Sequence, residues 1–158
     1  MITERYIKMC EKAEEIQREW KPQTGDWAID VWHRNPVVVA IVELSGRLLV
    51  SQIGGSLYEN EQDKFFWLPT QEQLQGMVED EILRGSLGLD YRGPCKRHID
   101  LFWAFRFWFE KRAGEGYIRT CTSMNELWLA FVMWERYGKV WDDKKEEWVK
   151  GECNGYRH

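Results

Sequence analysis

The chain has 158 residues, 44% of them hydrophobic and 30% charged, with a net charge of −4. A chain of this length buries roughly 70% of the surface its unfolded form exposes, so the composition fits a folded core and excludes disorder along the whole length. The acidic balance excludes an overall positive field that would draw the protein to phosphate backbones or anionic lipid.

Thr3 is placed to cap a helix running to about Trp20, with Ile7, Cys10, Ala13 (or Glu14) and Ile16 on its thin apolar stripe. Pro22 and Gly25 end it. The pattern then changes to strands: Trp27 to His33, a turn at Arg34-Asn35-Pro36, the β-branched run Val37 to Leu44, a Ser45-Gly46 turn, and Arg47 to Ile53. A two-residue Ser-Gly link between apolar runs is a hairpin signal, because Gly supplies the positive φ of tight turns. The expected product is a three-stranded antiparallel meander whose middle strand, apolar on both faces, needs cover on both sides. Gly54 to Lys64 reads as an acidic loop. It lacks the mid-loop Gly and terminal Glu of an EF-hand, so calcium is not expected there.

Phe65 to Pro69 leads into Thr70-Gln71-Glu72-Gln73, a capping-box pattern opening a helix from Gln71 to about Arg84, closed by Gly85. Its core stripe is Leu74, Met77, Val78, Ile82 and Leu83 (or Glu81). Gly76 either answers a close neighbour or weakens the helix. Ser86 to Pro94 is turn-rich, and Lys96-Arg97-His98 reads as a solvated basic loop. His98 to Arg112 is ambiguous, since alternation fits Leu101, Trp103, Phe105, Phe107 and Phe109 while helical spacing fits Ile99, Phe102 (with Trp103), Phe105 (or Arg106) and Phe109. The terminal Glu110-Lys111-Arg112 before Gly114 favours the helix. Gly116 to Thr120 reads as a short extra strand.

Ser123-Met124-Asn125-Glu126 is a second capping box, opening a helix to Tyr137 that stops at Gly138 in the left-handed position. This helix is apolar all round for two turns, as expected of a central helix or of half a dimer interface. Val140-Trp141 and Trp148-Val149 then form a small hairpin whose tryptophans face each other across strands. The expectation is an α+β fold: a small antiparallel meander of about three strands plus a C-terminal hairpin, packed by about four helices. Residues 1–151 read as one domain and 152–158 as a frayed tail.

Three stretches resemble a family of small uncharacterised proteins encoded by phages and prophages of Gram-positive bacteria. They are Trp20-Lys21-Pro22-Gln23-Thr24-Gly25-Asp26-Trp27, then Trp67 through Met77, and last Glu126 to Met133 continuing through Tyr137-Gly138-Lys139-Val140-Trp141-Asp142 to Glu147-Trp148-Val149. The resemblance does not extend to residues 99–109 or to the loop from Glu59 to Asp63. It implies a phage or prophage origin and the cytoplasm of the host bacterium. It brings no activity, cofactor or catalytic residue.

For chemistry the sequence offers little. No Gly-x-Ser-x-Gly, phosphate loop, dinucleotide fingerprint or His-Glu-x-x-His occurs. His33 and His98, with Asp26 or Asp30 nearby, are the remaining acid–base candidates for a small hydrolase, and Glu79-Asp80-Glu81 reads as a solvated helix face. Cys10, Cys95, Cys121 and Cys153 are scattered without zinc-ligand spacing, as free thiols in a reducing compartment would be. Met1 to Arg5 lacks the features of a signal peptide, and Leu127 to Trp134 is too short to span a bilayer. No catalytic, cofactor or metal site is therefore assigned, and no membrane partner is expected.

A non-catalytic protein–protein interaction module is the favoured class, because Trp and Tyr anchor interfaces. The chain holds ten tryptophans. Trp128, Trp134, Trp141 and Trp148 are the candidate interface residues, with a second copy or a phage or host protein as partner. Single-stranded nucleic acid, stacked on aromatics beside Arg97, Arg106, Arg112 and Arg119, is the alternative that net acidity disfavours.

Overall fold

A computed structural model describes residues 2–32, 34–42, 47–52, 57–59, 65–85 and 94–151. The fold is α+β, and its contacts divide the chain into two compact units, Ile2–Thr70 and Gln71–His158.

In the first unit the expected single N-terminal helix is two, α1 (Glu4–Glu11) and α2 (Glu14–Glu19). Thr3 caps the first as anticipated, its hydroxyl accepting the Tyr6 N–H at 3.0 Å. The helix breaks at Ala13, where φ −85° and ψ 65° are not helical, and the Ala13 N–H closes a tight turn onto the Cys10 carbonyl at 3.1 Å. That carbonyl also accepts from the Gln17 amide at 3.0 Å, so the break leaves it satisfied. Met9, Cys10, Ala13, Ile16 and Trp20 are all buried.

The expected meander is present and is extended at both edges. Strands β1 (Trp27–Asp30), β2 (Pro36–Val42), β3 (Arg47–Gln52), β4 (Leu57–Glu59) and β5 (Phe65–Trp67) form an antiparallel sheet in the order β4-β3-β2-β1-β5. β1 stops at Asp30 and not at His33, because Asp30 Oδ1 accepts the Trp32 N–H at 2.8 Å and Arg34 turns the chain at φ 57°. Two strands lie where the sequence reads as loop or lead-in. β4 falls within the acidic stretch and pairs with β3, and β5 pairs with β1 in the register Ala28↔Trp67, Ile29↔Phe66, Asp30↔Phe65. Each is three residues long, too short for a period to show. The Ser45-Gly46 turn, His33 and the 152–158 tail lie outside the described residues.

Along β1 the adjacent Ala28 and Ile29, which point to opposite faces, are both fully buried, so this strand is covered on both sides. β2 buries Val37 and Val39 and leaves Val38 partly open. The free edge of β5 is occupied by a side chain. The Gln17 amide accepts the Trp67 N–H at 2.7 Å and donates to the Trp67 carbonyl at 3.0 Å, standing in for a neighbouring strand.

In the second unit, α3 (Gln71–Gly85) packs on α4 (Pro94–Arg112) and α6 (Met124–Tyr137), and α6 runs into the hairpin β6 (Lys139–Asp142) and β7 (Glu147–Lys150). α4 settles the ambiguous period as helix and starts at Pro94, a residue pre-set for a first helical position. The Lys96-Arg97-His98 run is therefore helical backbone and not a loop. Gly116–Arg119 is one helical turn, α5, in place of the expected strand, since the Ile118 and Arg119 N–H groups both return to the Glu115 carbonyl.

α6 is capped as its sequence dictates. Ser123 accepts the Glu126 N–H at 3.2 Å, Glu126 accepts the Thr122 N–H at 2.8 Å, and Gly138 closes the helix at φ 63°. Every residue from Trp128 to Met133 is buried, which makes this the central helix of its unit.

Candidate interaction surface

The second unit's core is an aromatic cluster between α4 and α6. Phe105 stacks on Trp128 with ring centroids 4.3 Å apart and meets Phe131 edge-on at 5.4 Å, while Trp108 packs on Phe131 at 5.2 Å. Leu101, Phe105 and Trp108 recur at three-to-four spacing and form the buried seam of α4.

The seam ends in a clamp. The Arg112 guanidinium lies 3.2 Å from the centre of the Trp134 ring and is held by two bonds to the Glu115 carboxylate, at 2.7 and 2.9 Å. On the hairpin, Gly151 packs against the Trp134 ring and donates its N–H to the Gly138 carbonyl at 2.8 Å. Trp141 and Trp148 stand directly opposite each other, edge to face at 5.1 Å.

The four tryptophans singled out by sequence are thus mostly interior. Trp128, Trp141 and Trp148 are buried, and Trp134 is half-buried under Arg112. They hold the unit together and offer little surface to a partner.

The exposed aromatics lie instead on the other side of α4. Ile99, Phe102, Trp103, Phe107 and Phe109 are 37 to 58% exposed, and their helical spacing puts them on one face, opposite Leu101, Phe105 and Trp108. Arg106 and Glu110 run down the middle of this face, paired at 2.7 Å, with the guanidinium 5.2 Å from the Trp103 ring. Lys111 Nζ sits 4.0 Å over Phe107 at its edge. The sequence carried a signal for this face: alternation and helical spacing fit residues 99–109 equally well because large apolar side chains lie all round the helix, more than one buried seam can use. A smaller exposed spot, Val31 and Trp32, caps the turn after β1, with Trp32 77% exposed.

Of the acid–base candidates, Asp26 and Asp30 belong to the first unit and His98 to the second. Asp26 is buried, and its Oδ2 accepts from the Trp20 indole N–H at 2.9 Å and the Gln23 backbone N–H at 2.8 Å, which makes it a structural acceptor. Asp30 shapes its turn, and His98 is exposed near the start of α4. Among the described residues no three His, Cys, Asp or Glu side chains group so as to hold a metal ion, and no helix is long and apolar enough to cross a membrane.

The chain matches no family model, no curated protein and no solved structure.

Proposed function

We propose that this chain is a non-catalytic protein–protein interaction module, an accessory protein of a phage or prophage that acts by contact in the host cytoplasm, and that the exposed face of α4 makes the contact. One observation carries the reading: a helix already anchored in the core by Leu101, Phe105 and Trp108 displays five more large apolar side chains to solvent. Exposed large apolar side chains gathered on one helix face mark interaction sites, and aromatic side chains are the usual anchors. The reading moves the interface from the four C-terminal tryptophans to Phe102, Trp103 and Phe107.

Single-stranded nucleic acid fits this surface less well. Two of the arginines that could track a backbone are already neutralised, Arg106 by Glu110 and Arg112 by Glu115.

A photoreactive phenylalanine analogue placed at Phe102 or Phe107 in cells is expected to give a discrete protein adduct, whereas the same group at the exposed Lys145 in the hairpin turn gives none. Adducts of equal yield at all three positions, or none at any, would sink the reading. Quenching of tryptophan fluorescence by a single-stranded oligonucleotide at low salt would favour nucleic acid instead.

A further inference from the structure

We infer that the exposed face of α4 is a self-association surface, packing on the same face of a second copy about a twofold axis. The inference rests on the interaction reading above and names its partner.

The charges on the face carry the first part of the argument. Arg106 and Glu110 lie among the aromatics as one cation and one anion, with side chains 50% and 58% exposed. A strongly acidic or strongly basic partner would bury one of them against like charge, which is costly away from water. A second copy brings both signs with it, so the face is electrostatically complementary to itself.

Area carries the second. Large aromatic side chains present 150 to 250 Å² each, so the exposed fractions of the five apolar residues amount to about 500 Å² per copy, near the upper end for a patch on a monomer. Two such faces together remove about 1,000 Å² of surface, the threshold for a specific interface, before the stems of Arg106, Glu110 and Lys111 are added.

Sedimentation equilibrium of the full chain tests this. The mass is expected to rise with concentration from 19.0 kDa toward twice that value. Phe102→Arg and Phe107→Arg should each weaken association by about tenfold or more, while far-UV circular dichroism stays unchanged because both side chains are exposed. In a mixture of isotope-labelled and unlabelled chains, the photoreactive group at Phe102 should yield mixed-label adducts mapping to residues 99–112. A mass of one chain at every concentration would overturn the inference, as would a dimer that persists in both variants or cross-links away from α4. A monomer whose Phe102 probe captures a different protein in cells would end self-association and leave the interaction reading standing. A monomer with no adduct in cells would end both.

Discussion

Gly76 and Gly151 show how differently one residue type behaves under different packing. A Cβ at Gly76 would meet nothing within 4 Å, so no neighbour requires that glycine and only its low helix propensity remains. Gly76→Ala is expected to raise stability by about 0.5–1 kcal/mol in a urea titration. A Cβ at Gly151 would run into the Trp134 ring and lie 3.2 Å from Val140 Cγ1, so Gly151→Ala should cost about 1–3 kcal/mol in the same titration. Cys10 is a further case. Burial pushes its thiol well above the ordinary range, with hydrogen bonding between it and the Tyr6 side chain only partly opposing the shift. The raised value means its contribution to stability is intact at neutral pH and is lost only as pH climbs from the usual thiol range toward the folded value. Iodoacetamide at neutral pH should therefore leave Cys10 unmodified until denaturant is added, as peptide mass mapping would read.

At the scale of the element, α4 and β5 each depend on something outside their own pattern. α4 has two apolar faces, one spent on the core. Phe105→Ala is expected to cost about 3–5 kcal/mol by denaturant titration, because it opens a cavity between Trp128 and Phe131. Phe107→Ala, two residues along on the exposed face and under the Lys111 ammonium, should cost about 1 kcal/mol or less in the isolated chain. Equal effects would mean that both faces are buried. β5 is three residues long, and on its free side Gln17 pairs with Trp67. Gln17→Ala leaves the N–H and carbonyl of Trp67 without that partner and should cost about 2 kcal/mol, with faster amide exchange at Trp67.

For the whole molecule, self-association couples stability to concentration. If α4 pairs only in the folded state, the melting temperature rises with protein concentration, and Phe102→Arg should abolish that dependence in calorimetry.

Local chemistry was legible where a capping or turn residue announces it. Thr3 and Ser123 cap their helices, Gly138 ends α6, and Trp141 faces Trp148, because each outcome depends on neighbours within a turn or a hairpin. From these the α+β class and the C-terminal hairpin could be read without coordinates. What a linear pattern could not supply was the partner of each side chain. The strands β4 and β5 and the inward turn of Trp128 were decided by partners outside their own segments, while the break at Ala13 closes on local bonds that hydrophobic spacing does not register. The physical reason is that hydrophobicity has no direction. Phe105 and Phe107 are chemically identical, and only the helix packed against one side of α4 makes the first a core residue and leaves the second facing water.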